Sequence, residues 1–120
     1  MKTMILAAAA ALLAPGLALA DDLSGTWKIN ADAGGQAMTI HCNFVQKENA
    51  LGGTCGLDGV DDKPAPLTGV VDGLNAKWAY DVAFNGEQMH IAYSGNVEGT
   101  TITGNMNAAG MEIPFAAVKE

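Results

Sequence analysis

Residues 75–94 read NAKWAYDVAFNGEQMHIAYS. Folded about Asn85-Gly86, the two halves match: Val82 faces Met89, Tyr80 faces Ile91 and Trp78 faces Tyr93. The residues between them are mostly polar, with Asp81 opposite His90 and Lys77 opposite Ser94. Alternation with a period of two is the signature of a half-buried strand. Asn-Gly is a strong hairpin turn, because both central residues of a type I′ turn need positive φ. A slip of one residue would turn every apolar side chain to the wrong face. The stretch is therefore an antiparallel hairpin with one apolar and one solvated face.

The same alternation continues on both sides. About Glu98-Gly99, Ile91 would face Met106, Tyr93 would face Gly104 and Gly95 would face Ile102. About Ala109-Gly110, Met106 faces Ile113 and Gly104 faces Phe115; about Asp72-Gly73, Val71 faces Leu74 and Leu67 faces Trp78. Glu-Gly and Ala-Gly are weaker signals, since neither Glu nor Ala tolerates positive φ well. The outer pairs add Lys77 with Thr68 and Asn105 with Ala92. Toward the N-terminus, strands are expected at Gly25 to Asn30 (Trp27 and Ile29 inward), Gln36 to Gln46 (Met38, Ile40, Cys42 and Phe44 inward) and Leu51 to Leu57. A turn over Lys47 to Ala50 sets Cys42 across from Cys55 and Phe44 over Gly53, which predicts a disulfide. Gly56 to Pro66 is the longest irregular connection.

The total is eight strands, with no stretch at amphipathic-helix spacing. An open sheet of this kind would leave its apolar face wet. Closure into an all-β, eight-stranded antiparallel up-and-down β-barrel covers the face and removes the edges. Inward Gly53, Gly69, Gly95 and Gly104 suit strong coiling and are expected to leave space near the rings. Pro114 cannot donate a ladder bond and marks a bulge or the seam near the last strand.

The chain has 120 residues and fits one small domain. Lys2, the apolar run Ile5 to Leu13, the Pro15-Gly16 break and Ala18-Leu19-Ala20 form a secretory leader over 1–20, with cleavage expected after Ala20. The barrel domain then occupies 21–120, and its address is periplasmic or secreted. The leader's apolar run is too short to span a bilayer, and no second span follows. Two cysteines in an exported chain favour a disulfide. The chain carries 6 Lys, no Arg and 13 acids, for a net charge of −7. Phosphate recognition needs clustered positive charge, so a nucleic-acid partner is not expected.

Leu23-Ser24-Gly25-Thr26-Trp27 carries a G-x-W at the start of the first strand. This resembles the opening of lipocalin and fatty-acid-binding barrels, the calycin group, and the domain is similar in layout to small exported bacterial lipocalin-like domains. The resemblance implies a small closed barrel; an eight-stranded barrel is filled by its own side chains or holds one small ligand. The chain departs from lipocalins in having no Arg near its end, where Lys119 is a partial stand-in. It departs from avidins in having Ile29 where they carry a biotin-binding Asn. A bacterial inhibitor family of secreted zinc proteases is similar in size, opening motif and single disulfide. Its members insert an N-terminal trunk into the protease, whereas only Asp21-Asp22 precede this barrel.

The chemistry-bearing residues do not converge. His41 and His90 face outward on different strands, and two cysteines with two distant histidines have no zinc-ligand spacing. Met38, Met89, Met106 and Met111 fall on the apolar face at strand spacing and read as core filling rather than Cu(I) ligands. Asp58, Asp61 and Asp62 lack the calcium-loop pattern. No motif supports a nucleophile, so neither enzymatic activity nor a cofactor is expected. Thr101, Thr103, Asn105 and Asn107 make an outer polar row. The inside is the expected ligand site, with Trp27, Trp78, Tyr80, Tyr93, Phe84 and Phe115 inward. Of these, Trp27, Trp78, Tyr80, Tyr93 and Phe115 are the candidate lining, and the two tyrosine hydroxyls would orient a polar end. The expected function is to carry or sense a small apolar or aromatic ligand. The alternative is a filled barrel that acts as a protein-interaction module, through its outer face and the Gly56 to Pro66 loop.

Overall fold

The computed structural model describes residues 22–57, 64–84 and 86–120, the side chains of Leu57 and Phe84 excepted. The leader, Asp21, Asn85 and the acids Asp58, Asp61 and Asp62 lie outside the described residues, as does the direction of the Phe84 side chain.

Strands run in chain order as β1 (Gly25–Ala33), β2 (Gln36–Lys47), β3 (Ala50–Leu57), β4 (Ala65–Pro66), β5 (Thr68–Asp72), β6 (Asn75–Phe84), β7 (Glu87–Glu98), β8 (Thr101–Ala108) and β9 (Met111–Lys119). No helix occurs among the described residues. Each long strand pairs antiparallel with its sequence neighbour; β9 pairs with β1 and β2 with β3, which closes eight strands into a barrel. The two-residue β4 continues the β5 register onto β3, with Cys55 opposite Ala65 and Leu51 opposite Gly69. Leu67 between them donates its N–H to Gly53 O at 3.0 Å. The irregular connection is thus shorter than Gly56 to Pro66, because β3 reaches Leu57 and Ala65–Pro66 are paired.

The central hairpin has the expected register, with Trp78 opposite Tyr93, Tyr80 opposite Ile91 and Val82 opposite Met89. The Ala109-Gly110 hairpin does too, with Met106 opposite Ile113 and Gly104 opposite Phe115. Two other hairpins keep the expected face but shift partners by two residues. Val97 pairs with Ile102, Gly95 with Gly104, Tyr93 with Met106 and Ile91 with Ala108. Gly69, not Leu67, lies opposite Trp78, and Val71 lies opposite Ala76 rather than Leu74. On the outer face, Lys77 lies opposite Val70 and Thr68 opposite Ala79, while Asn105 meets Ser94 and Ala92 meets Asn107. The cause is local. The turns are Gly73-Leu74 and Gly99-Thr100, so that glycine (φ 60° and 63°) takes the first central position. The second position then needs no positive φ, and neither Asp72 nor Glu98 adopts one. Ala109, by contrast, does take φ 53° ahead of Gly110.

Cys42 and Cys55 are paired in register and joined by the disulfide. Pro114 causes no bulge against β8. It sits one residue before the β1 ladder begins at Phe115, at the closing seam. The inward glycines do not leave room beside the rings. A Cβ on Gly104 would collide with Ser94 O, and one on Gly95 would lie 2.7 Å from Thr103 O. The space is already filled by adjacent backbone, so these glycines let strands approach and coil. Of the four methionines expected in the core, Met106 is buried, Met38 and Met89 are half-buried, and Met111 is 57% exposed at the barrel rim.

Candidate functional site

The interior is built around one aromatic cluster. Trp27 and Phe44 lie 6.1 Å apart between ring centroids, and Phe44 meets the edge of Trp78 at 5.0 Å. Trp78 stacks on Tyr93 at 4.8 Å with an interplanar angle of 11°. Phe115 stands edge-on to both, at 5.7 Å from Trp78 and 5.3 Å from Tyr93. Tyr80 leans on Tyr93 at 5.7 Å, and their hydroxyls hydrogen-bond at 2.5 Å. All five residues expected to line a ligand site are therefore buried in one connected cluster. Phe44, expected only as an inward residue, is the bridge that links Trp27 to the rest.

The two ends of the barrel differ. At the Trp27 end, Leu23 is buried as a plug, and the Trp27 indole N–H donates to Leu23 O at 2.8 Å. Gln46 accepts the Leu23 N–H through Oε1 at 2.8 Å and donates its own N–H to Ser24 Oγ at 2.9 Å. Backbone bonds from Val71 to Asn49, Val97 to Leu74, Lys119 to Thr100 and Glu120 to Thr26 tie neighbouring turns and termini together there. The Asp22 carboxyl is held below its ordinary range by hydrogen bonds from the Ser24 hydroxyl and the Ser24 N–H, the latter at 2.8 Å.

The opposite end carries the Gly34-Gly35 and Ala109-Gly110 turns and Gly86. The half-buried apolar residues that pack on the core, Ala33, Met38, Val82, Ile91 and Ala108, all lie on the strand segments approaching it. Among the described residues, this is the end at which the core is partly exposed. Tyr80 lies opposite Ile91 and Tyr93 one inward pair further from this end, and their hydroxyls bond to each other. The sequence pattern placed Met38, Val82 and Ile91 inward; Ala33 and Ala108 are added by the structure. It gave no sign that one end is plugged, because Leu23 and Gln46 meet only in the folded chain.

Electrostatically the interior is neutral. No charged residue is buried among the described residues. Burial raises the Tyr93 hydroxyl far above the ordinary tyrosine range, reinforced by the charge and hydrogen bond of Tyr80. Burial also raises Tyr80, against the opposing effect of its bond to Tyr93. Both are protonated at neutral pH. The Trp78 Nε1–H is buried with no hydrogen-bond partner among the described residues.

Outside the barrel, Asp81 and His90 pair at 2.8 Å, and His41 lies 3.4 Å from Glu120. The two histidines sit on separate strands, and no group of three or more metal-ligating side chains converges among the described residues. Thr103, Asn105 and Asn107 are exposed and Thr101 half-exposed, as the alternation predicts. An open outer groove of about 720 Å³ is lined by Thr68, Lys77, Ala79, Ala92, Asn105 and Glu112, among others. Among the described residues, no helix is long and apolar enough to cross a membrane. No protein-family model matches this chain, and no curated protein is significantly similar to it.

Proposed function

We propose that the protein is an exported, lipocalin-like binding barrel, without catalytic activity, that takes a small apolar or aromatic ligand at its open end. The supporting observation is the asymmetry of the ends. One is plugged by Leu23 and hydrogen-bonded shut, whereas the partly exposed core hydrophobics all gather at the other. An apolar mouth with a few convergent polar groups is the usual form of a small-molecule site. Tyr80 and Tyr93 form its floor, backed by Trp78 and Phe115; Trp27 supports the plug. The disulfide is consistent with an extracellular or periplasmic address.

The test is uptake of an environment-sensitive apolar dye by the purified protein, followed by the dye's own emission. We expect saturable enhancement that Val82→Lys at the mouth weakens at least tenfold and Asn105→Ala on the outside leaves unchanged. Equal loss from both substitutions, or no uptake, would sink the reading. A second reading, a protein-interaction module, is favoured by the outer groove with its small-residue floor of Ala79 and Ala92. In that case Ala79→Arg abolishes partner capture while dye uptake persists.

A further inference from the structure

The buried polar groups of the interior bear on what kind of ligand fits. We propose that the open end selects neutral apolar molecules bearing a carbonyl-type acceptor oxygen (a ketone, ester or quinone) over hydrocarbons and over carboxylates. The proposal rests on the reading of that end as the binding site. In the Tyr80–Tyr93 pair one hydroxyl donates and the other accepts. The accepting hydroxyl's own proton then has no acceptor among the described residues. Trp78 Nε1–H, on the ring stacked against Tyr93, is a second buried donor without a partner. The unmet hydrogen-bonding capacity here is thus on the donor side, and a ligand oxygen supplies what is missing.

Charge argues the same way. The chain has no Arg, and no Lys or His is buried among the described residues. A carboxylate entering the barrel would shed its water and find no counter-ion, which is strongly unfavourable. A neutral carbonyl has no such cost, and its apolar body would rest on Met38, Val82 and Ile91.

Three near-isosteric probes separate the cases: 2-acetylnaphthalene, 2-ethylnaphthalene and 2-naphthoate, each titrated calorimetrically into the mature protein at pH 7. One net hydrogen bond corresponds to about a tenfold difference in affinity. We expect the ketone to bind about tenfold tighter than the hydrocarbon and at least tenfold tighter than the carboxylate. Its carbonyl stretch should shift to lower frequency when bound. The double variant Tyr80→Phe, Tyr93→Phe should reduce the ketone toward the affinity of the hydrocarbon, with folding checked by circular dichroism. The infrared shift needs no variant and serves if this one unfolds. Equal binding of ketone and hydrocarbon, tighter binding of naphthoate, or an unshifted carbonyl band overturns the selectivity while leaving an apolar mouth in place. If none of the three binds, the open end is not a site for such ligands, and the selectivity falls with it.

Discussion

Tyr80 and Tyr93 are the only tyrosines in the chain, so their ionisation can be followed without interference from others. Burial raises both above the ordinary value of about 10. The folded state therefore holds these protons more tightly than the unfolded chain. Their contribution to stability is fully present below about pH 10 and is lost as pH rises beyond it. We expect the 295 nm tyrosinate band to stay flat past pH 10 and to rise for both residues together with the loss of circular dichroism. A gradual rise near pH 10 in the folded protein would show that the pair is in water. A glycine makes a second point at this scale. Gly104→Ala would drive a methyl group into the Ser94 carbonyl and the Gly95 backbone. The expected cost is about 1–3 kcal/mol, as for overpacked cores, measured by urea denaturation. The alternation marks Gly104 as inward, but whether an inward glycine opens a cavity or admits a neighbouring strand depends on how close that strand comes.

Among the elements, the turns show how local strain selects register. Gly73 and Gly99 occupy the first central position, and the hairpins slide by two residues to put them there. Sliding by two preserves the face, which is why the inside and outside residues were legible although their partners were not. Ala109 has no such escape, because Met111 pairs with Ala108 and Gly110 takes the second position. Ala109→Gly should therefore stabilise the protein by about 1 kcal/mol, by removing the left-handed penalty of an L-residue. Ala109→Asn should gain in the same direction by restoring the preferred Asn-Gly pair. Thermal melts of both variants against the parent check the sign. No gain from either would mean that the strain at this turn is already relieved elsewhere.

For the whole molecule, the Leu23 plug and the disulfide each tie distant parts of the chain together. The disulfide joins residues 13 apart on paired strands of the same wall. Replacing both cysteines with alanine should cost about 3 kcal/mol, the loop-closure entropy returned to the unfolded chain. That loss should lower the melting temperature by roughly 10 °C or more for a domain of this size. Leu23→Ala should cost about 2–5 kcal/mol as a buried large-to-small change. It would also unseat the carbonyl that accepts the Trp27 indole N–H. Emission from Trp27 should then shift to longer wavelength, while Trp78, the other indole, stays in the stacked cluster. An unchanged spectrum would mean that Leu23 does not seal that end.

The sequence by itself missed the short Ala65–Pro66 strand and the exposure of Met111, but it determined the eight long strands, most of the inner and outer faces, the Cys42–Cys55 pairing and the need for closure. These follow from period-two alternation and strong turns, which act over a few residues and leave a readable pattern. The tertiary structure alone decided which partners meet across the Gly73 and Gly99 turns, since two registers satisfy the same faces and backbone strain chooses between them. It alone revealed a plugged end and an opposite end where the partly exposed core hydrophobics gather, because Leu23 and Ser24 lie more than twenty residues from Gln46 across that contact. It alone brought Tyr80 and Tyr93 into a hydroxyl pair and left Trp78 Nε1 without a partner among the described residues. Hydrogen bonds between side chains depend on the tilt and coil of a closed sheet, and a linear pattern of apolar and polar residues does not encode those distances.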